Sequence, residues 1–168
     1  MLNQPTLEKL RTLKLTGMAE AFTEQLQKPL PDLDFNERLA MLVDRECLLR
    51  ENRKIKRRIT MAKLQQSACI EDIDYDKQRG LVKAKILELS RNTWVQQHFN
   101  ILITGSTGCG KTYLACAFAH CACLAGFTSK YYRLTRLWEE LKVARANGTY
   151  TQILIQLAKI DILILDLC

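Results

Sequence analysis

The sequence lacks any apolar run of the length that crosses a membrane: no stretch of about 18 uncharged apolar residues occurs among its 168 residues. Its N-terminus, MLNQPTLEKLRTLKL, also lacks the long apolar segment of a secretory signal. These absences predict no membrane association and favour a cytoplasmic protein. Hydrophobic residues nevertheless make up 48% of the chain, which is enough for a packed core. We therefore expect a globular protein of one domain, or of a small domain and part of another.

The seven cysteines and two histidines lack the spacing of a metal site. No paired CxxC motifs and no CxxC followed by HxxxH occur, and His98 and His120 lie too far apart for a short ligand motif. Cys116 lies among alanines on a predicted buried helix, where a free cysteine packs as a small hydrophobe. The spacing argues against a metal bound by cysteine, and we expect most of the cysteines to pack in the core.

The first part of the chain predicts helices. Apolar residues recur at helical spacing around a break at Gly17, which predicts a helical hairpin or a kinked helix. These residues are Leu7, Leu10, Met18, Phe22 and Leu26. Pro29 and Pro31 then predict a turn or short extended link, and Asp34 with Glu37 three residues later predicts the start of a second, long helix. We expect an apolar stripe of that helix to pack on the first helices. The stripe consists of Leu39, Leu42, Val43 and Cys47.

The helical pattern continues into a strongly basic segment, RENRKIKRRITMAK, at residues 50–63. Seven basic residues minus one acidic residue, Glu51, give it a net charge of +6, in a chain of net charge +7. Ile55, Ile59 and Ala62 keep a narrow apolar edge, which predicts an amphipathic helix. Clustered Lys and Arg favour contact with DNA or RNA phosphates, whereas a solvated face and an anionic membrane surface remain alternatives. The predicted DNA-binding residues are Arg50, Arg53, Lys54, Lys56, Arg57, Arg58 and Lys63.

An acidic, turn-rich connector, IEDIDYDKQRGL at residues 70–81, follows the basic helix. Helical spacing resumes in LVKAKILELSRNTWVQQHF, and the pattern changes beyond it. We place the domain boundary in this region. The predicted organisation is a helical N-terminal domain over residues 1–66, a connector over 67–92 and a nucleotide-binding domain over 93–168.

The segment FNILITGSTGCGKT predicts a phosphate-binding loop. Phe99–Thr104 is a short apolar run that predicts a buried parallel strand, and residues 105–112 match G-x-x-x-x-G-K-[ST] at each fixed position. The glycines allow backbone N–H groups to point at phosphate oxygens, at the positive end of an alanine-rich helix. Lys111 is predicted to reach the β- and γ-phosphates, and Thr112 to offer its hydroxyl to Mg²⁺. The predicted nucleotide-binding residues are Gly105, Ser106, Thr107, Gly108, Cys109, Gly110, Lys111 and Thr112.

Strands and helices alternate after the loop. The pattern predicts a strand over Ser129–Thr135, two helices, and an apolar strand over Ile160–Asp166. Trp138, on the first of these helices, is expected in the core, with a ligand contact as the alternative. Asp166 is predicted to be a second ligand of the Mg²⁺ held by Thr112, with a strand cap as the alternative. The order of elements predicts an α/β fold, with a helical domain followed by a partial P-loop NTPase sheet and flanking helices.

Asp166 is followed by Leu167, at a position where many ATPases have an acid that orients the attacking water. The sequence therefore predicts nucleotide binding, while ATP hydrolysis and its catalytic residues stay unassigned. Asp161, at the opposite end of the same strand, is expected to be structural.

These segments resemble the IstB-like ATP-binding helpers of insertion-sequence transposition, which are similar to DnaC-type helicase loaders within the AAA+ ATPases. The resemblance covers nearly the whole chain and rests on LRTLKLTGMAEAF, FNERLAMLVDRECLLRENRKIKRRITMAKL, IEDIDYD and the phosphate loop. It implies an AAA+-like fold, ATP and Mg²⁺ as cofactors, and ATP-dependent assembly on DNA with regulation of a partner transposase. It also implies a homo-oligomer when the ATPase domain is complete.

The chain departs from the family pattern in two respects. The family usually has a second acid where this chain has Leu167, and it continues through further parts of an ATPase domain that this sequence does not contain. We therefore expect a truncated copy, in which sensor residues and an arginine finger have no assigned position.

Three other functions remain as alternatives. A helicase loader would be recognised by its binding to a replicative helicase. A small phosphoryl-transfer enzyme would need an Arg-rich lid, which the sequence after the loop does not contain. A non-catalytic DNA-binding remnant would retain DNA through the basic helix with no response to nucleotide.

Overall fold

The computed structural model describes residues 3–28, 32–75 and 80–167. The elements in chain order are α1 Asn3–Thr12, α2 Thr16–Gln27, α3 Phe35–Ala62, α4 Lys83–Ser90, α5 Thr93–Gln96, α6 Lys111–Leu124, β1 Ser129–Arg133, α7 Leu134–Ala146, α8 Tyr150–Ala158 and β2 Ile162–Asp166. They form two compact units, Met1–Lys54 and Ile55–Cys168. Helices thus precede a small parallel sheet with flanking helices, and the predicted α/β fold class is confirmed. The predicted link at Pro29 and Pro31 lies outside the described residues.

The first unit begins with the helical hairpin that the sequence predicts, but its break lies at residues 13–15 and not at Gly17. Lys14 has a φ of 59° between the two helices, and the Leu15 N–H donates to the Leu10 carbonyl over 2.9 Å. Gly17 lies in the first turn of α2, where a Cβ atom would meet the Glu46 Cα at 2.8 Å. The glycine is therefore required for a close approach of two backbones and does not end the helix.

A buried carboxylate from α3 caps the start of α2. The Glu46 Oε2 atom accepts the N–H groups of Gly17, over 2.7 Å, and of Met18, over 3.3 Å. Its other oxygen accepts from the Arg50 Nε atom over 2.7 Å, and Glu46 is only 5% exposed. A negative charge at a helix N-terminus satisfies unpaired donors and interacts favourably with the helix dipole. This contact fixes α3 against α2 within the first unit.

The start of α3 confirms the predicted capping box. The Glu37 N–H donates to Asp34 Oδ1 over 2.7 Å, and the Asp34 N–H donates to Glu37 Oε2 over 2.9 Å. The helix then continues without a break to Ala62, so the long helix and the basic segment are one element.

The prediction that the apolar stripe of α3 packs on the first helices is wrong for most of its members. Leu39, Val43 and Cys47 are exposed. The more buried positions on this part of the helix are Leu42 and Leu49, on either side of Glu46. The hydrogen bonds of Glu46 to α2 therefore set which face of α3 is turned inward. The spacing of apolar residues alone did not reveal that face.

The core of the second unit is built around α6. Buried Cys116, Ala117 and Phe118 of this helix pack with residues from the acidic connector, from α4 and from β1. These packing partners are Ala68, Ile70, Ile73, Ile86 and Tyr131. Small side chains on α6 permit close packing against the sheet, while a fully buried phenylalanine contributes about 1.5–3 kcal/mol of stability.

The sheet of the second unit has two parallel strands, β1 and β2, in a register that runs from Ser129 opposite Ile162 to Arg133 opposite Asp166. Helices α7 and α8 form the crossover that parallel strands require. Before β2, the Asp161 carboxylate accepts both the N–H and the hydroxyl of Thr128, each over 2.7 Å. Asp161 therefore joins the starts of the two strands, as expected for a structural residue.

Two local predictions in the second unit need correction, and a third is confirmed. Phe99–Thr104 is not a β-strand, because no neighbouring strand among the described residues pairs with it and a strand requires such a partner. The helical spacing predicted before it is confirmed by two short helices, α4 and α5, and Asn92 takes a left-handed φ of 59° between them. Trp138 is 60% exposed and does not lie in the core. No helix in the described ranges has the length and apolarity needed to cross a membrane.

Candidate nucleotide-binding site

The loop over residues 105–110 is exposed and connects the irregular segment after α5 to α6. Gly108 and Gly110 adopt φ values of 80° and 91°, in the left-handed region that other residues avoid. A Cβ atom at either position would meet nothing within 4 Å, so backbone conformation, rather than space, is the reason for a glycine there. The turn they form presents the main chain of the loop to solvent at the start of α6.

The N-terminus of α6 is suited to an anion. Gly110 is its N-cap residue, no side chain caps the helix, and no acidic residue occurs in its first turn. Unpaired N–H groups and the helix dipole make such a terminus favourable for phosphate. Buried residues farther along the helix, such as Cys116 and Ala119, anchor it in the core. The positive end is therefore held by a rigid element.

The ammonium of Lys111 lies over the loop. Its Nζ atom donates to the carbonyl oxygens of Gly105, over 3.1 Å, and Ser106, over 2.8 Å. The side chain thus folds back across the glycine turn and brings a positive charge to the place where the sequence predicts phosphates. An anion in the loop would compete with these carbonyls for the ammonium and would form hydrogen bonds in which both partners are charged.

The structure brings the two predicted Mg²⁺ ligands together, although they are far apart in the sequence. The Thr112 hydroxyl, in the first turn of α6, donates to Asp166 Oδ2 over 2.6 Å. The Tyr131 hydroxyl donates to the same carboxylate oxygen over 2.9 Å. A short polar cluster, formed by Thr112, Tyr131 and Asp166, therefore lies where α6 and the end of β2 meet.

Sequence reasoning missed Tyr131. The register of the sheet explains its position: Arg133 pairs with Asp166, so Tyr131 lies two residues before that pair on the neighbouring strand. Diagonal neighbours across two strands are within reach of long side chains. Tyr131 is buried, and burial first, followed by its hydrogen bond to Asp166, raises the pKa of its hydroxyl to about 12. The hydroxyl therefore remains a donor at neutral pH.

The polar cluster fits a magnesium ion that also binds nucleotide phosphates. Mg²⁺ prefers hard oxygen ligands and in such sites takes one or two carboxylates, with phosphates and water completing its shell. Thr112 and Asp166 supply a hydroxyl and a carboxylate oxygen. No group of three or more His, Cys, Asp or Glu residues in the described part of the chain could hold a metal by itself. The donor set therefore suits an ion shared with a nucleotide rather than a metal site formed by protein alone.

Leu167 follows Asp166 and is exposed. An apolar side chain cannot orient or deprotonate a water molecule, which is the task of the acid that many ATPases have at this position. The residue directly after Asp166 therefore supplies no general base.

The predicted DNA-binding residues differ in their exposure and in whether their side chains contact another residue of the protein. In the first unit, Arg50 is paired with Glu46, and the Arg53 Nη2 atom donates to the Thr16 hydroxyl over 2.7 Å. Lys54 is exposed on the same helix.

In the second unit, Lys56 and Arg57 are exposed, whereas Arg58 is half-buried. Lys63 is exposed just after α3. Burial first, and the charge of Lys63 second, lower the pKa of Lys130. The exposed positions Lys54, Lys56 and Arg57 are therefore the ones whose charges are most available to a partner.

Comparisons with known proteins place the chain among ATP-binding proteins of insertion sequences. A family model described as IstB-like ATP binding protein matches residues 8–168. The chain is similar to "Insertion sequence IS1162 putative ATP-binding protein" of Pseudomonas fluorescens, with 44% identity over 99% of this chain and 73% of the relative. It is also 41% identical to an insertion sequence ATP-binding protein of Sinorhizobium fredii, over 99% of this chain and 68% of the relative. An IS21-like ATP-binding protein of Bacteroides fragilis is 31% identical over 88% of this chain and 58% of the relative.

Proposed function

Because the chain belongs to the family of IstB-like ATP-binding proteins, we propose that it binds ATP with Mg²⁺ and acts on DNA as a helper in the transposition of an insertion sequence. In this proposal residues 93–168 carry the nucleotide site, residues 1–66 carry the DNA contact, and residues 67–92 connect them. A transposase is the proposed protein partner, and a homo-oligomer is the proposed assembly of the complete ATPase domain.

The observation that carries the nucleotide part is the contact between Thr112 and Asp166 beside the uncapped start of α6. The loop over residues 105–110 would hold the phosphates through main-chain N–H groups, and Lys111 would neutralise part of their charge. Thr112 and Asp166 would hold Mg²⁺, which offsets phosphate charge when it is bound. Tyr131 would keep the Asp166 carboxylate in place through its hydrogen bond.

Nucleotide binding, rather than efficient turnover, is the activity that these residues support. Binding needs the loop, the lysine and the two oxygen ligands, which are all present. Efficient hydrolysis also needs a group that activates water, and Leu167 cannot supply it. In the proposed helper, ATP would therefore act as a ligand that changes affinity for DNA or a partner protein.

The DNA part of the proposal rests on charge. Lys54, Lys56 and Arg57 are exposed on α3, in the segment that carries most of the net positive charge of the chain. Basic side chains in such a cluster gain affinity for nucleic acid by releasing counterions from the phosphates. The proposed function has two alternatives. One is a DnaC-type helicase loader. The other is a DNA-binding remnant that does not respond to nucleotide, and the presence of Leu167 favours this remnant over an active ATPase.

A DNA-binding titration with and without ATP and Mg²⁺ tests this function. We expect ATP to raise the DNA affinity of the natural chain at least threefold and to have no effect on the Lys111→Ala variant. Equal DNA affinity with and without ATP in the natural chain would favour the remnant. The absence of DNA binding in low salt would contradict the proposal as a whole.

A further inference from the structure

Arg133 is the last residue of β1 and lies beside the candidate magnesium site. In the register of the sheet it is opposite Asp166. Neighbouring strands lie about 4.8 Å apart, a distance that an arginine side chain spans easily. Side chains two positions apart lie on the same side of a strand, so Arg133 shares a face of the sheet with Tyr131. The arginine is therefore adjacent to both the carboxylate and the phenol of the polar cluster.

The pKa of Tyr131 reflects an interaction with Arg133. Burial first, and Asp166 second, raise the pKa of the Tyr131 hydroxyl to about 12, while a side-chain interaction with Arg133 acts in the opposite direction. A nearby cation lowers the pKa of a phenol because it favours the charged form. The Arg133 guanidinium thus lies close to the hydroxyl that donates to Asp166 over 2.9 Å.

The same arginine also contacts the segment that follows α3. Its Nε atom donates to the Gln65 Oε1 atom over 3.4 Å. This length is near the outer limit for a hydrogen bond, and both side chains are exposed, so the contact costs little to break. Arg133 therefore joins the nucleotide site to the end of α3 within the second unit, through a bond that is easily exchanged.

Gln65 is closely attached to the basic end of α3. It lies three positions after Ala62, the last residue of the helix, which is fully buried. Leu64 packs on the core of the second unit. Lys63 takes a left-handed φ of 47° and ends the helix. Because close-packed residues transmit a displacement, a change at Gln65 should reach the last turns of α3, where the exposed basic residues lie.

We propose that Arg133 is a positioning residue that transmits the occupancy of the nucleotide site to the basic end of α3. The inference rests on the proposed function. In the structure Arg133 holds the neutral amide of Gln65. Phosphate oxygens are charged acceptors and bind a guanidinium more strongly than an amide does. A bound nucleotide would therefore draw Arg133 away from Gln65 and release the segment that carries Lys63 for contact with DNA.

Coupling of this kind is reciprocal: if ATP raises DNA affinity by some factor, DNA raises ATP affinity by the same factor. In the natural chain we expect a factor of at least about three in both directions, and in Arg133→Ala a factor of about one. Arg136→Ala, at an exposed residue in the first turn of α7, removes the same charge and should keep the natural factor. Arg133→Lys keeps the charge but loses the planar donors, so its factor should also fall to about one.

Hydrogen exchange of main-chain amides at residues 55–68 gives a readout that needs neither DNA nor ATP hydrolysis. Arg133→Ala and Gln65→Ala each remove one side of the contact, and Gln65→Ala leaves the arginine charge in place. Before nucleotide is added, we expect exchange near the end of α3 to be at least about threefold faster in both variants than in the natural chain. ATP with Mg²⁺ should bring the natural chain to the same rate and should change neither variant further.

Failure of this inference differs from failure of the proposed function. No nucleotide binding by the natural chain would contradict both. Nucleotide binding with unchanged exchange at residues 55–68 would overturn the role of Arg133 alone, and so would equal coupling factors in Arg133→Ala and Arg136→Ala. The expected changes in exchange without DNA binding would support transmission by Arg133 and contradict the DNA part of the proposed function.

Discussion

The Thr112 hydroxyl donates to the Asp166 carboxylate over 2.6 Å, and this contact joins the first turn of α6 to the last residue of β2. The two residues are 54 positions apart in the sequence, and Tyr131 donates to the same oxygen from the neighbouring strand. A contact between the helix start and the strand end is what a shared magnesium ligand set requires.

Thr112→Ala is expected to weaken nucleotide binding at least tenfold in the presence of Mg²⁺ and much less in its absence. The variant removes the hydroxyl proposed as a metal ligand but leaves Lys111 and the loop glycines unchanged. Titration with a fluorescent ATP analogue, with Mg²⁺ and with EDTA, measures both affinities. Thr112→Ser keeps the hydroxyl and serves as the control. An equal loss with and without Mg²⁺ would show that Thr112 acts on the fold of the loop and not on the metal.

Tyr131→Phe should lower the free energy of unfolding by about 1 kcal/mol at neutral pH, since it removes one hydrogen bond and leaves the ring in place. The Asp166 carboxylate would lose a donor, and the Mg²⁺ concentration needed for half-maximal nucleotide binding should change as a result. Urea unfolding and a Mg²⁺ titration measure the two effects. Tyr132→Phe, at the next position of β1, is the matched control, and an identical Mg²⁺ response in both variants would contradict the positioning role.

Tyr131 also predicts a loss of stability in alkali. In the unfolded chain a tyrosine ionises near pH 10, whereas in the folded protein the pKa of Tyr131 is about 12. Its contribution is therefore fully present below about pH 10 and is lost as the pH rises toward about 12. The stability difference between the natural chain and Tyr131→Phe should become smaller over that interval. A difference that stays constant from pH 8 to pH 12 would contradict the raised pKa.

Glu46→Gln is expected to destabilise the first unit by about 1–3 kcal/mol, because it removes a charged acceptor of two main-chain N–H groups and of Arg50. Hydrogen bonding by Arg50, the largest cause, lowers the pKa of Glu46, so its stabilisation is present above about pH 4.3 and is lost as the pH falls further. Unfolding at pH 7 and at pH 3 measures this change. Glu51→Gln, at an exposed acid of the same helix, should have little effect at either pH.

Neutralising the exposed basic residues of α3 should weaken DNA binding and flatten its dependence on salt. The triple variant contains Lys54→Ala, Lys56→Ala and Arg57→Ala. If each residue contacts one phosphate, the slope of log affinity against log salt should fall by about 2 to 3. Arg50, Arg53 and Arg58 are left unchanged, because the first two hold protein partners and the third is half-buried.

A control with the same change in net charge separates position from total charge. It neutralises three exposed lysines outside the basic segment, Lys9, Lys85 and Lys142. DNA affinity and salt slope should stay close to those of the natural chain. If the two triple variants lose affinity equally, the basic helix has no special role and net charge alone explains the binding.

The sequence predicted those features that depend on neighbouring residues. The capping box of Asp34 and Glu37, the length of α3 and the start of α6 after the glycine loop each follow from local spacing, and the structure confirms them. The roles of Lys111, Thr112 and Asp166 in binding nucleotide and metal stay predictions, although the last two residues lie in contact.

The features that the sequence did not reveal depend on residues distant in the chain. Glu46 caps a helix that begins 30 positions earlier, at Thr16, and periodicity cannot distinguish its carboxylate from one that faces solvent. Tyr131 reaches Asp166 only through the register of the sheet. The run Phe99–Thr104 has the composition of a strand, but a strand also needs a neighbour, and composition says nothing about that neighbour.

The most direct test of the account is a titration of the purified chain with a fluorescent ATP analogue in the presence and absence of Mg²⁺. Lys111→Ala would be measured beside it, with Lys142→Ala, at an exposed lysine of α7, as the matched control. The account predicts saturable, Mg²⁺-dependent binding by the natural chain and the control, and at least tenfold weaker binding by Lys111→Ala. No binding by the natural chain, or equal binding by Lys111→Ala, would contradict a nucleotide site at this loop.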